Sequence, residues 1–190
     1  MSCASCGPCL TEIGGYAMAI QSPAELLAYE LSAIRDAETR AAGALRSQLG
    51  SIRNADLRRL LEQRLLQGEQ LSQEVGRALE RLGGGGKGVT NPAARGLIEE
   101  TGTLLGAAQT PELKQAVLIA GVQKFEHYCI AVWGTVRALA SELGQHELCQ
   151  AMLRSVEAGY QLDRELTDLA ESWVNPTAIE QADMAEGRKT

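Results

Sequence analysis

Residues 110–144, TPELKQAVLIAGVQKFEHYCIAVWGTVRALASELG, decide the fold of this chain. Thr110 offers a capping oxygen, Pro111 suits the first position of a helix, and Gly144 supplies a stop, so the stretch predicts a helix from 110 to about Leu143. Its apolar residues recur at three- and four-residue spacing, and no segment of the chain alternates with a period of two for long. The sequence therefore predicts an all-α protein.

The capping residues and helix breakers elsewhere predict three more long helices and one short helix. These cover residues 23–50, 54–82 and 145–173, with the short helix over 91–108 inside the longest connection. Four long helices joined by one extended crossover are typical of an antiparallel four-helix bundle of the ferritin type. We expect three parts: a cysteine-containing head over 1–22, the bundle over 23–174 and a polar tail over 175–190.

Composition limits the partners and the compartment. The 190 residues carry 24 acidic and 18 basic side chains, a net charge of −6, and only 4% are aromatic, so we expect neither nucleic acid nor an anionic membrane as a partner. No run approaches the roughly 18 uncharged apolar residues of a spanning helix. The first residues also lack the basic and then apolar pattern of a signal peptide, which predicts a cytoplasmic protein.

Two carboxylates interrupt otherwise apolar helical seams. Glu38 lies in the seam Leu27, Leu31, Ile34, Glu38, Ala41, Leu45, and Glu126 lies in the seam Val122, Glu126, Cys129, Trp133, Val136, Ala140. A buried carboxylate needs a metal, a cation or a shared proton. Arg64 falls on the seam of the helix over 54–82 and is the candidate for charge compensation. We expect the two carboxyl groups to lie within about 8 Å of each other.

The stretch LIAGVQKFEHYCIA at 118–131 resembles the signature LIAAAQKVEHYEIA of the YciF-like ferritin-like proteins. Further matching segments are Asp36-Ala37-Glu38, GLIEE at 96–100 and LTDLA at 166–170. The resemblance covers about residues 24–175 and implies a ferritin-like bundle that holds two metal ions between carboxylates and histidines, with a dimer as the usual assembly.

The chain departs from that family's pattern at the metal ligands. RLLQGEQL at 64–71 stands where the family reads HLEETHGQ, Cys129 replaces a glutamate, and VEAGYQLD at 156–163 replaces LEEEKATD. Glu38 and Glu126 alone survive cleanly, which is too few donors for a dinuclear centre. A mononuclear Zn or Fe site of Glu38, Glu126 and Cys129 stays open. His127, Glu157 and Asp163 are expected to lie around such a site as a second layer. The cofactor is left open between Fe, Zn or Mn at low occupancy and no metal.

The head contains Cys3, Cys6 and Cys9, spaced like the first three ligands of a bacterial ferredoxin cluster, but Ile13 stands where the fourth would follow. Three such thiols suit Zn or Cu(I) binding, a disulfide to another subunit or an oxidisable sensor. The alternative is a terminal tail with incidental cysteines.

The helix over 110–143 is apolar on every side, including Leu118, Phe125, Tyr128, Val132 and Leu139 beside its seam. Three neighbours in a bundle do not readily cover such a helix, so we expect a homo-oligomer, a dimer or larger, that pairs through it.

Three functions follow, in this order. The first is a structural, stress-associated, self-assembling bundle with a degenerate dinuclear site. The second is a metalloprotein, mononuclear or with a rearranged di-iron or di-manganese oxidoreductase site, and the third is a thiol-based sensor or metal carrier that uses the head. No catalytic residue is assigned, and the balance is against an enzyme.

Overall fold

The computed structural model of the protein describes residues 20–83 and 88–187. Within these residues all regular structure is helical, which confirms the all-α fold class. The helices are α1 (Pro23–Leu49), α2 (Ala55–Arg81), α3 (Pro92–Ala107), α4 (Pro111–Glu142), α5 (His146–Leu169) and α6 (Asn175–Gly187), with a π-helical turn (Ala170–Val174) between the last two. None of the described helices has the length and apolar character needed to cross a membrane.

Four of the described helices begin where a side chain accepts a hydrogen bond from a free backbone amide of the first turn. The side chains of Ser22, Asn54, Asn91 and Thr110 each accept a hydrogen bond from the backbone N–H three residues on. A proline follows three of these caps at the first helical position, where its missing N–H costs nothing. The predicted starts of these four helices are therefore within a residue of those observed.

Short connections pair α1 with α2 and α4 with α5 as antiparallel hairpins. The two hairpins pack together through α2 against α5 and α1 against α4, while α3 lies in the crossover and packs on α4 and α1. This confirms the four-helix bundle with a short helix in its long connection.

The apolar core is divided into two clusters. One contains Leu31, Val75, Trp133 and Met152, and the other contains Leu57, Leu61, Ile119 and Leu166. Helices α1, α2, α4 and α5 contribute to both clusters. The buried charged residues of α1, α2 and α4 lie close to the boundary between the two clusters. They form a polar layer between the two halves of the core.

The predicted end of the last bundle helix at Asn175-Pro176 is wrong. The backbone N–H of Asn175 donates to the carbonyl of Ala170, five residues back, which widens the helix into a π turn. Pro176 then falls in the first turn of α6, where no amide donor is needed. The segment 175–187 therefore continues as a helix that packs on α4, with Val174 and Ala178 buried.

The pairing of subunits through the helix over 110–143 stays a prediction, and part of the apolar surface of this helix is covered within the chain. Leu118 and Phe125 are buried within this single chain, and Tyr128, Val132 and Leu139 are partly buried against the first cluster. Helices α1, α3, α5 and α6 all pack on α4, more neighbours than the three assumed from a bare bundle.

Candidate functional site

A charged layer lies at the boundary between the two halves of the core. Glu38 on α1, Arg64 on α2 and Glu126 on α4 are only 2%, 4% and 1% exposed. Arg64 donates from Nη1 to Glu38 Oε2 at 2.9 Å and from Nη2 to Glu38 Oε1 at 3.1 Å. Its Nε–H donates to Glu126 Oε1. The structure thus brings together the two carboxylates and the arginine singled out in the sequence.

Gly68 makes room for this layer one turn after Arg64. A Cβ atom at this position would lie 2.5 Å from Glu38 Oε2 and 2.7 Å from Arg64 Nη1. No real Cβ approaches so closely, so any side chain here would push the guanidinium and the carboxylate apart. The glycine is therefore part of the site although it carries no functional group.

Two aromatic rings flank the guanidinium. The Cζ atom of Arg64 lies 5.9 Å from the centroid of Phe125 and 5.7 Å from that of Trp133. Both distances are within the range at which a ring attracts a cation. Both rings are buried, so they give the layer apolar surroundings in which charge interactions are stronger than in water.

The charges of the layer do not balance when both carboxyl groups are ionised, since two carboxylates face one guanidinium. Burial opposes the charge of Arg64, but Glu126 and Glu38 outweigh it and hold its pKa well above the usual range. Burial raises the pKa of Glu126, and Arg64 offsets this only in part. Among the described residues, Glu126 Oε2 has no hydrogen-bond partner. With both carboxyl groups ionised, the layer therefore carries one negative charge in excess.

Cys129 lies beside the layer with 3% of its surface exposed. Burial raises the pKa of its thiol well above the ordinary value, and the negative charge of Glu38 adds to the effect. Metals bind the thiolate, not the thiol. Burial therefore favours the neutral thiol at this position.

The three residues expected around the site lie elsewhere. The side chain of His127 is 59% exposed, and its Nε2 lies 3.3 Å from Asp163 Oδ1. Asp163 also accepts a hydrogen bond of 3.0 Å from Gln123 on α4 and contacts the layer only through its distant charge on Glu126. Glu157 is exposed on α5. His127 and Glu157 thus face solvent, whereas Asp163 is half-buried between α4 and α5 and its charge contributes to the raised pKa of Glu126.

The donor set does not fit the dinuclear metal centre that the family resemblance implies. Both oxygens of Glu38 and one oxygen of Glu126 accept hydrogen bonds from Arg64, so a cationic side chain already occupies the space between the carboxylates. Within residues 20–83 and 88–187, no three His, Cys, Asp or Glu side chains come together in a metal-binding arrangement. Cys3, Cys6 and Cys9 lie outside the described residues.

Sequence reasoning missed the role of Asn91, which is 3% exposed. Its Nδ2 donates to the carbonyl of Ala33 at 3.1 Å and to the hydroxyl of Tyr128 at 2.7 Å, and its backbone N–H donates to Asp36 Oδ2 at 2.9 Å. It thus fastens the start of α3 to α1 and α4. The visible signal was an asparagine before a proline, which predicts a helix cap but not its tertiary partners.

The bundle and its buried charge layer define a ferritin-like helical bundle protein. Residues 22–179 match the family model described as a domain of unknown function, DUF892, and the chain belongs to this YciF-like family.

Relatives of known structure agree with this assignment. The crystal structure of the Escherichia coli stress protein YciF is 28% identical, has a TM-score of 0.75, and the match covers 82% of this chain and 99% of that one. YcfI from Rhodopseudomonas palustris, provisionally described as a structural protein, is 27% identical with a TM-score of 0.73 over 80% of this chain and 98% of that one.

The sequence comparison with Protein YciF of Escherichia coli strain K12 gives 39% identity over 90 residues. That alignment spans 47% of this chain and 54% of the relative, about half of each. The likeness in fold thus extends further along the chain than the likeness in sequence.

Proposed function

We propose that this chain is a structural, stress-associated bundle protein in which the Glu38–Arg64–Glu126 layer takes the place of a dinuclear metal centre. The observation that carries the proposal is the placement of Arg64, whose guanidinium donates to both carboxylates at once. Oxidase or peroxidase chemistry at two metal ions needs about four carboxylates and two histidines, together with open positions for a substrate. This layer supplies two carboxylates and closes the space between them.

A structural role also agrees with the energetics of buried ion pairs. Such a pair adds little net stability compared with apolar residues, yet breaking it is costly because an unpaired charge is left behind. The layer therefore penalises any packing of the helices that separates the three residues. The relatives described as a stress protein and as a structural protein support the same role for this chain.

The decisive experiment is metal analysis of the untagged protein purified without oxygen. We expect Fe, Mn and Zn well below one ion per chain in the bundle. About two Fe or Mn ions per chain would overturn the proposal.

A pair of variants identifies the source of any metal found. Glu38→Gln removes one carboxylate from the layer, whereas Glu157→Gln makes the same change on the exposed face of α5. Metal content should be equal in both variants and in the parent protein. A loss of metal in Glu38→Gln alone would assign a metal to the layer and favour the metalloprotein hypothesis, including its mononuclear form with Cys129.

Self-assembly into a homo-oligomer is the second part of the proposal. A groove of about 270 Å³ runs between α2 and α5, lined by Leu66 and by the glutamines Gln63, Gln70 and Gln161. Leu66 is 59% exposed and is the apolar side chain that this groove presents to solvent. We place the contact between subunits on this face, because most apolar residues of α4 are buried or half-buried within the chain.

Light scattering at micromolar concentration tests this assignment. We expect a mass of at least twice that of one chain, which Leu66→Glu lowers to the monomer. Leu104→Glu, at a leucine on α3 that is 43% exposed, is the matched control and should leave the mass unchanged. A monomeric parent protein would refute self-assembly, and an oligomer indifferent to Leu66→Glu would refute its location.

A further inference from the structure

Two further cavities are neighbours along α4. The larger has a volume of about 250 Å³ and lies between α1, α3 and α4. The smaller has a volume of about 180 Å³ and lies between the α1–α2 connection, the end of α3 and the start of α4. Gln48, Leu105 and Leu118 line both cavities, so the pair offers one elongated site along the first half of α4.

The larger cavity suits an apolar chain. Its walls are largely apolar and come from Ala44, Leu97, Ile98, Val122 and Phe125. Arg64 and Glu126 lie at its inner end, but they are 4% and 1% exposed and bonded to each other. The unpartnered oxygen of Glu126 is fully enclosed. The charge layer therefore offers no free polar group to a ligand in this cavity.

The smaller cavity has a positively charged rim. Arg53 and Lys114 line it, and no carboxylate is among the described residues of its lining. Arg53 donates to Glu112 at 3.4 Å, which offsets its charge, whereas Lys114 forms no ion pair within the described part of the chain. The cavity also lies at the first turns of α4, where the helix dipole favours a negative charge. The rim therefore favours an anion.

Gln115 supplies a free donor to the same cavity. The residue is 4% exposed and lines the cavity, and its Oε1 accepts a hydrogen bond of 2.9 Å from the backbone N–H of Asn54. This bond fixes which end of the amide is the oxygen, and Nε2 has no partner in residues 20–83 and 88–187. The unpartnered side-chain atoms that the described residues enclose completely are Glu126 Oε2 and Trp133 Nε1. Nε2 of Gln115 therefore retains accessible surface from which it can donate to a ligand.

We propose that the two cavities together bind one medium-chain monocarboxylate, such as octanoate. Its carboxylate accepts hydrogen bonds from Lys114 Nζ and Gln115 Nε2, and its alkyl chain lies over Leu118 toward Val122. Gln115 and Val122 are about 10 Å apart along the helix axis, a distance that an eight-carbon chain spans. The ligand gives the unpaired lysine a counter-ion and the buried amide an acceptor. The site goes beyond the proposed structural function and does not depend on it, because the ligand needs no bond to the charge layer.

Calorimetric titration with compounds of one length tests the chemistry of the head. The probes are octanoate, the neutral 1-octanol and the cationic octylammonium. Hydrogen bonds between charged groups are stronger than neutral ones, so we expect octanoate to bind about tenfold more tightly than the alcohol. Octylammonium should bind most weakly of the three. Hexanoate should bind roughly 15-fold more weakly than octanoate, at about fourfold for each buried methylene that is lost.

Two lysines on α4 provide matched variants for the charged contact. Lys124 is exposed like Lys114, but it pairs with Glu100 at 3.0 Å and lines neither cavity. Lys114→Met should reduce the affinity for octanoate to that for the alcohol and leave the affinity for the alcohol unchanged. Lys124→Met makes the same change in net charge and should leave both affinities within about twofold of the parent protein.

Two glycines on α3 provide matched variants for the position of the chain. A Cβ atom at Gly102 or at Gly106 meets nothing within 4 Å, and both residues are exposed, but Gly102 lines the larger cavity and Gly106 lines neither. Gly102→Leu should occupy part of the cavity and weaken octanoate binding at least tenfold. Gly106→Leu should leave the affinity within about twofold of the parent protein, because helix propensity changes equally in the two variants.

Three results would each overturn the proposal. They are absence of octanoate binding to the parent protein at millimolar concentration, an affinity for octanoate no higher than for the alcohol, and equal responses of the two variants in either matched pair. The structural function is tested separately by metal content, so a metal-free protein that does not bind octanoate refutes the ligand site alone.

Discussion

Arg64 uses three of its N–H groups on two carboxylates, and this single residue determines what the centre of the bundle can do. A lysine offers one compact charge and lacks the planar fork that engages both oxygens of Glu38. An uncharged residue would leave two carboxylates buried without compensation. The charge compensation of both carboxylates therefore depends on one side chain on α2.

The variant Arg64→Met tests whether the layer depends on this one side chain. We expect the variant to lose about 3–5 kcal/mol of unfolding free energy, because both carboxylates lose their partner in the core. Urea-induced unfolding followed by circular dichroism measures the change.

The triple variant Glu38→Met, Arg64→Met, Glu126→Met is the control for packing. Replacing a whole buried ion cluster by apolar residues is often neutral or stabilising, so the triple variant should be at least as stable as the parent protein. If the single and triple variants are equally unstable, the loss comes from packing at Arg64 and not from charge.

The sequence was sufficient to identify the three members of the layer. Glu38 and Glu126 interrupt apolar seams at helical spacing, and Arg64 occupies a third seam, so periodicity alone brings them to the interior. The distribution of the hydrogen bonds was beyond the sequence. It depends on how close α1 and α2 approach, and thus on the absence of a side chain at Gly68.

At the scale of the helices, Gly68 and Gly76 on α2 provide a direct comparison. A Cβ at Gly68 would overlap Glu38 and Arg64, whereas a Cβ at Gly76 meets nothing within 4 Å. Alanine stabilises a helix by roughly 0.5–1 kcal/mol relative to glycine when nothing opposes it. We expect Gly76→Ala to raise the midpoint of urea unfolding, and Gly68→Ala to lower stability by about 1–3 kcal/mol through overpacking. If both variants are more stable than the parent protein, the layer accommodates a methyl group at Gly68 without loss of stability.

Asn91 joins three helices, and its variants separate the cap from the tertiary contacts. Asn91→Ala removes the acceptor for the Ala94 N–H and the donors to Ala33 and Tyr128, and we expect a loss of about 2–4 kcal/mol. Asn91→Asp keeps the capping oxygen but cannot donate, so it should lose less than the alanine variant while still falling below the parent protein. Thermal unfolding measures both, and a fully stable Asn91→Asp would exclude a role for the two donated bonds.

Helix starts were predictable because caps and prolines act locally, but the end of the bundle was not. Asn175-Pro176 normally interrupts a helix, since proline lacks the amide donor. Here one extra residue in the turn Ala170–Val174 shifts the hydrogen bonding by one position and lets the helix pass the proline. Burial of Val174 and Ala178 favours that arrangement, and tertiary packing of this kind is not visible in local sequence.

At the scale of the whole molecule, the charge layer divides the core into two apolar halves that would otherwise be continuous. An apolar core tolerates sliding of one helix along another more readily than a core with fixed hydrogen bonds does. The layer ties α1, α2 and α4 at one level. α5 contributes no charged partner, and the small residue Gly159 allows close approach, since a Cβ there would lie 2.9 Å from Ile130 Cγ1.

The balance of charge at Glu126 makes the stability of the whole bundle depend on pH. Burial raises the pKa of Glu126 above its ordinary value of 4.5, so the folded protein binds a proton more readily than the unfolded chain does. As the pH falls through the window between the two pKa values, the folded state takes up more protons and the contribution of Glu126 to stability rises. Glu126→Gln cannot take up this proton. We therefore expect the unfolding free energy of the parent protein, minus that of Glu126→Gln, to increase from about pH 8 to about pH 5.

Glu157→Gln is the control, because Glu157 is exposed on α5. The unfolding free energy of the parent protein minus that of Glu157→Gln should stay constant over the same pH range. Burial opposes the charge of Asp36, but hydrogen bonds from Arg40 and Asn91 outweigh it and lower the pKa of Asp36. This effect is present in every variant and cancels in the difference. Chemical unfolding at a series of pH values supplies the measurement. A difference between parent and Glu126→Gln that stays constant, or that shrinks on acidification, would show that the carboxyl group is fully compensated by Arg64 and that the layer lacks neither a charge nor a proton.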